Sequence, residues 1–256
     1  MCSNRLKINP VKTEFSWCTT HRRLHLINES PFIIGNATIQ PATSIRNLGK
    51  PRCPYGSRSV AIRSHIARLT GACFRALRQA RAIRRSMPPH ASRMLICSAV
   101  LSRSDYCNCI FAGLPYFNLN RLQQVMNAAA RVSSRRRKYD HISDVLQDLH
   151  WLRVPQRIEF RLCLTVYKAL HNLALSYLAE LCIPVTALAA RQRLRSSSAG
   201  NLVVPKPRSE FGKHAFAFTG PNAWNNLPQT IKSSTSLAVF KNHLKTHLFR
   251  QCYKLS

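Results

Sequence analysis

The nine carboxylates are Glu14, Glu29, Asp105, Asp140, Asp144, Asp148, Glu159, Glu180 and Glu210. None lies between Glu29 and Asp105, and none follows Glu210. Two-metal phosphoryl transfer needs carboxylates held together around divalent cations, and only Asp140, Asp144 and Asp148 stand close in sequence. Their four-residue spacing sets them along one face of a short helix in HISDVLQDLHW, where pairing with neighbouring arginines explains them more economically than a metal does. The ten cysteines contain no C-x-x-C pair. Cys107-Asn108-Cys109 comes nearest, and no second pair or His-x-His completes a four-ligand site. There is no G-x-S-x-G elbow for a nucleophilic serine and no G-x-x-x-x-G-K-[ST] phosphate loop, with only eight glycines to build one. The residues therefore point to no catalytic group, no metal site and no cofactor.

The cations are arranged differently. Arg63, Arg68, Arg75, Arg78, Arg81, Arg84 and Arg85 recur through one segment that holds no acid at all. On a helix they gain nothing from internal pairing and repel one another, which favours a polyanionic partner. A second cluster is SSRRRKYD, where Arg135, Arg136, Arg137 and Lys138 run into Tyr139. Arginine and lysine neutralise phosphates, and an adjacent aromatic ring stacks on a base. Cations at a helix C-terminus also answer the macrodipole, so both readings of this cluster stand.

These residues need elements to hold them. Up to about Gly49 the texture is strand and turn, with FSWC and FIIG as short β-prone runs. Lys50 to Ser59, KPRCPYGSRS, follows neither period and reads as a loop. Then Ile62, Ile66, Leu69, Cys73, Leu77 and Ile83 recur at helical spacing, with the arginines filling the rest. Pro88-Pro89 ends that helix. His90 to Ser102 predicts a helix apolar on most sides and hence buried. A third helix carries Leu119, Leu122, Val125, Met126, Ala129 and Val132 as its stripe. Ser143 is the expected cap of a short acidic helix, and Pro155 the first-turn residue of the next, whose inward face is Ile158, Leu162, Thr165, Val166 and Leu170. Beyond Pro184 the sequence loosens, with one short strand expected in NLVVPKPR. The last helix is capped by Ser236, with a stripe of Leu237, Phe240, Leu244 and Leu248. Trp17, Trp151 and Trp224 are read as core or edge residues. The fold class is mostly α after a short α+β start.

Composition bounds the partners. Lysine and arginine total 39 against 9 acids, for a net charge of +30, while 45% of the 256 residues are hydrophobic. That is enough apolar material for a core, with nucleic acid as the expected partner and a merely solvated basic surface as the alternative. The longest apolar run, MLICSAVL, is far short of a membrane span. No secretory signal is visible and the basic N-terminus lacks an amphipathic stripe, so a secreted protein is not expected and a nuclear or cytoplasmic location is.

A series of phrases in order carries a resemblance. NRLKINPVKTEF, SIRNLG, LTGACFRALRQARAIRRSMP, SRSDYCNCIFAGLP, LNRLQQVMNAAARVSSRRRKYDHISDVLQDLHWLRVPQRIEFRLCLTVYKALHN, FGKHAFAFTGPNAWNNLP and FKNHLKTHLF together resemble the C-terminal part of reverse transcriptases of non-LTR, LINE-type retrotransposons of the jockey and chicken-repeat kind. The resemblance covers nearly the whole chain. It implies a palm remnant over 1–49, with Lys12 near the incoming nucleotide and Ile45 to Gly49 as a primer grip. It implies a thumb-like basic helical region over 62–139 that holds duplex RNA or DNA by its backbone. A helical connector over 140–183 and a loosely structured basic region over 184–256 follow.

In that family a catalytic Asp-Asp pair on a YADD-like strand precedes the KTE phrase, and this chain contains no Asp-Asp pair. The resemblance therefore implies a fragment of an RNA-directed DNA polymerase that binds nucleic acid without polymerising. A domesticated RNA- or DNA-binding protein and a non-functional conceptual translation are the alternatives. Over 50–61 the family continues into a β-hairpin, whereas KPRCPYGSRS stands here, and a frame slip in a decayed copy accounts for it. The frame-slip reading predicts that genomic copies diverge abruptly between Lys50 and Ser59. An uninterrupted frame matching active relatives through that segment contradicts it.

Overall fold

The computed structural model describes residues 9, 12–15, 30–34, 37–42, 45–47, 50–52, 58–106, 108–137, 139–187, 200–207 and 212–254. It is mostly helical, as the periodicities predict. The chain divides into two compact units, Met1–Arg68 and Leu69–Ser256.

The first unit holds two antiparallel hairpins. β1 (Phe32–Ile34) pairs with β2 (Ala37–Ile39), Phe32 opposite Ile39, which agrees with the β-prone FIIG run. β3 (Ile45–Asn47) pairs with β4 (Lys50–Arg52), Ile45 opposite Arg52. Strand β4 corrects the expectation of a loop from Lys50. Pro51 faces Arg46, one step beyond the Asn47–Lys50 pair that closes the hairpin, so the ladder asks no N–H of the proline. Phe15 forms a bridge with Pro41, and its ring centroid lies 5.6 Å from that of Phe32. Trp17 and the rest of FSWC lie outside the described residues. Helix α1 (Arg58–Ile83) starts in this unit and continues into the second, four residues earlier than its first stripe position Ile62.

In the second unit three helices share one apolar seam. Cys73, Leu77 and Ala80 of α1 meet Ile96 of α2 (Pro89–Ile96), Val100 beyond it, and Val125, Ala129 and Val132 of α4 (Tyr116–Ser133). Helix α2 runs through one π-helical turn, Cys97–Leu101, into α3 (Ser102–Asp105). The expectation that this segment is buried on most sides is corrected. Ser92, Ile96 and Val100 face inward, whereas Met94 is 70% exposed. Residues two apart stand on opposite sides of a helix, so a four-residue spacing buries a single stripe. Ile83 is also exposed, because it is the last residue of α1 and lies off the line through Cys73, Leu77 and Ala80.

The remaining helices pack around α6 (Val154–Leu170), with α5 (Ser143–Asp148) before it and α7 (Ser176–Ala179), α8 (Phe216–Asn225), α9 (Gln229–Lys232) and α10 (Leu237–Tyr253) after it. Pro155 occupies the first turn of α6, and Ile158, Leu162 and Val166 are buried as their spacing predicts. Ser236 caps α10, its hydroxyl accepting the Val239 N–H at 3.3 Å, and Phe240, Leu244 and Leu248 are fully buried. Ser143 does not cap α5. Ile142 takes that position, and the Ser143 hydroxyl accepts instead from Arg153 Nη2 at 3.2 Å.

The expected loose region after Pro184 is corrected over the residues described there. Leu202, Trp224, Leu227, Ile231, Phe240, Leu244 and Leu248 join Cys163, Val166 and Tyr167 in one core. Tyr167 stacks on Phe240 at 4.2 Å and donates its hydroxyl to Ser234 O. Asn225 holds the segment around Leu202 from both sides, donating to its carbonyl and accepting its N–H. That segment forms only an isolated bridge, Pro184 with Leu202, in place of the expected strand. Gly-Pro within α8 reads as a break, yet the helix carries both residues. A Cβ on Gly220 would stand 3.2 Å from Val166 Cγ2, so glycine is what lets α8 lie close on α6. Among the described residues no helix is long and apolar enough to cross a membrane.

Truncating Phe240 removes the stacked ring from the centre of this core. Phe240→Ala is expected to lower unfolding free energy by about 3–5 kcal/mol in denaturant titration. Val239→Ala, on the exposed side of the same turn, should stay within about 0.5 kcal/mol of the native value.

Candidate nucleic-acid interface

The stripe that buries α1 sets its cations on the far side. Arg68, Arg75, Arg78, Arg81 and Arg85 are exposed, Arg63 as well, and Arg84 is half-buried where the helix ends. Helix α4 ends nearby because Val132 and Ala129 share the seam with Leu77 and Ala80. The turn that follows α4 then joins the two basic clusters.

Ser134 closes α4, and Arg135 adopts the left-handed conformation with φ 54°. Its N–H donates to Val132 O at 3.4 Å, and the Arg136 N–H donates to Arg131 O at 3.0 Å. This pairing is a Schellman turn, in which the left-handed position ordinarily belongs to glycine. An L-residue there costs about 1–2 kcal/mol. The side chain compensates by crossing to the end of α1. Arg135 Nη2 donates to Met87 O at 3.2 Å and to Arg84 O at 3.5 Å, two carbonyls of the turn that follows α1.

One guanidinium thus places Arg84 and Arg85 beside Arg135, Arg136 and Arg137. Sequence reasoning predicted both clusters, but nothing in the spacing brought them together. Arg135 itself spends its guanidinium on the backbone of the turn after α1. Arg136 and Arg137 are exposed, and Tyr139 is 89% exposed beside them. The turn has one carboxylate, Asp140, which accepts the Arg137 backbone N–H at 2.9 Å. Arg131 was not singled out by the sequence. Its Nη2 donates to Asp140 O at 3.3 Å and so ties the far end of the basic turn back to α4. Lys138 lies outside the described residues. Lys12 is exposed and belongs, with Arg63 and Arg68, to the first unit.

The candidates for other chemistry disperse. Asp140 precedes α5, Asp144 pairs with His141 at 3.6 Å with both side chains exposed, and Asp148 ends the helix. Among the described residues no three His, Cys, Asp or Glu come together as a metal-binding set. Burial pushes the Cys73, Cys163 and Cys182 thiols up, which keeps them protonated and unreactive at neutral pH. Comparisons with protein families, with curated proteins and with solved structures find no match for this chain.

The two roles of Arg135 separate by mutation. Arg135→Ala keeps the left-handed strain and loses both donations, at an expected cost of about 1–2 kcal/mol. Arg135→Gly loses the same donations but relieves the strain, and should be about 1 kcal/mol more stable than Arg135→Ala. Thermal melts of the two variants check this, and a glycine variant less stable than the alanine variant contradicts it.

Proposed function

We infer that this chain binds the phosphate backbone of duplex nucleic acid through the ends of α1 and α4, as the thumb-like part of a LINE-type reverse transcriptase. The observation that carries the reading is the Arg135 bridge, which gathers two separately encoded arginine clusters on one exposed surface. Arg81 stands in the last turn of α1 with Arg84 and Arg85 just after it, Arg136 and Arg137 follow α4, and Asp140 is the one carboxylate of that second turn. Such a group repels itself in the free protein, and counterion release on meeting phosphates favours the complex. No base-reading geometry is needed for this, because backbone contacts position a duplex without reading its sequence. Exposed Tyr139 adds a surface on which an unpaired base can stack.

Supporting the family reading are the ordered phrases of the sequence and the helical character of the segment they assign to the thumb. These 256 residues carry no Asp-Asp pair, and among the described residues no three His, Cys, Asp or Glu come together, so we propose binding without polymerisation. Lys12 then marks the position that the family resemblance sets near the incoming nucleotide.

Purified protein should bind a short RNA–DNA or DNA duplex with a slope of log K against log salt of about −4 to −5, from five or so phosphate contacts. The Arg85→Glu/Arg136→Glu variant should lose about two units of that slope. Primer extension with the same preparation should give no product. Template-directed incorporation contradicts the inactivity, and an unchanged slope in the variant contradicts the interface.

A further inference from the structure

A second group of cations lies elsewhere in the same unit, around a cleft of about 620 Å³ between α3, α6 and α10. Its walls are apolar and partly aromatic, including Leu101, Trp151, Leu152, Phe160 and Leu164. Arg161, Lys241 and Lys245 stand at its edge and are exposed, and His150 lies beside them. Inside it, Arg157 grips the Asp105 carboxylate with both Nε, at 2.8 Å, and Nη2. That pair neutralises itself and consumes the one acid lining the cleft. Three cations, Arg161, Lys241 and Lys245, therefore face it without a carboxylate partner among the lining residues.

Contacts between α10 and the loop before α6 fix one wall of the cleft. The Tyr253 hydroxyl donates to Trp151 O at 2.6 Å and fixes the loop to the end of α10, and burial pushes that phenol up to about 12. His150 packs its ring on Phe249, with centroids 5.5 Å apart. Lys241 and Lys245 are one turn apart on α10, so their side chains rise from points about 6 Å from each other. That interval is close to the step between successive phosphates of an extended strand.

We propose that this cleft binds a nucleotide of single-stranded nucleic acid, with the base against the Trp151–Phe160 wall and the phosphates on Arg161, Lys241 and Lys245. The volume falls in the range of small-ligand sites. An apolar, aromatic wall rimmed by cations is the arrangement that takes a flat base and an anionic backbone together. An acidic peptide would use the rim and leave the wall unmatched. Neither Arg85 nor Arg136 lines the cleft, and the proposal does not depend on the duplex surface.

The test is fluorescence anisotropy with labelled oligothymidylate and with a labelled duplex, on the full chain. Lys241→Glu/Lys245→Glu changes two exposed positions off the buried stripe of α10, and a melting curve confirms that the fold is retained. Lys206→Glu/Arg250→Glu changes the net charge equally away from the cleft. The cleft variant is expected to lose about tenfold or more in single-strand affinity while keeping duplex affinity within about twofold. The control variant should keep both. Equal single-strand losses in the two variants overturn the proposal, as does displacement of the oligonucleotide by polyglutamate as effectively as by unlabelled strand. Uridine monophosphate provides the remaining arm. Competition that the cleft variant abolishes assigns the site to a free nucleotide, and lack of competition assigns it to a nucleotide within a strand.

Discussion

Nine carboxylates neutralise nine of thirty-nine lysines and arginines, so the fold must hold a net charge of +30 outside its apolar cores. Self-repulsion of that size opposes compaction, and hydrophobic burial is what opposes it in turn. The helices solve this with narrow stripes. Along α1 one line of residues meets α2 and α4, and Arg68, Arg75, Arg78 and Arg81 lie among the exposed positions off that line. Around α6 the apolar positions are denser, and they collect α8, α9 and α10 into the larger core. Charge is therefore not distributed at random over the surface. It is displaced to wherever a helix is not buried.

The turn after α4 shows how that displacement becomes a site. A glycine there would satisfy the backbone at lower cost, but it would leave the turn after α1 without this donor. Arginine accepts the strained conformation and spends part of its guanidinium on Met87 O and Arg84 O. The neighbouring arginines are then fixed in place by the backbone of the Schellman turn. A local strain at one residue positions two clusters that lie about fifty residues apart in the chain.

The elements that depend on local periodicity were readable. The stripes of α1, α4, α6 and α10, the Ser236 cap and the Pro155 start follow from side-chain spacing and backbone chemistry within a few residues. What failed depended on partners distant in sequence. Helix α8 was hidden because Gly220-Pro221 reads as a break, and only its close approach to Val166 gives the glycine a purpose. The packed C-terminal region was hidden because its apolar residues are sparse until α6 gathers them. Ile83 and Met94 were misplaced because hydrophobicity alone does not say where a stripe ends. The candidate interface was legible as two clusters, whereas their meeting rests on one long-range contact. The Arg157, Arg161, Lys241 and Lys245 positions left an i, i+4 signal on two helices, and tertiary packing alone turns it into a cleft.

The central claim is that Arg81, Arg85, Arg136 and Arg137 form one phosphate-binding surface. Arginine-selective modification with phenylglyoxal, read by peptide mass spectrometry with and without bound duplex, tests it most directly. The account predicts that duplex protects these four arginines together while exposed Arg93 and Arg250 continue to react. Protection of Arg93 and Arg250 to the same degree, or continued reaction of Arg85 and Arg136 in the saturated complex, would contradict it.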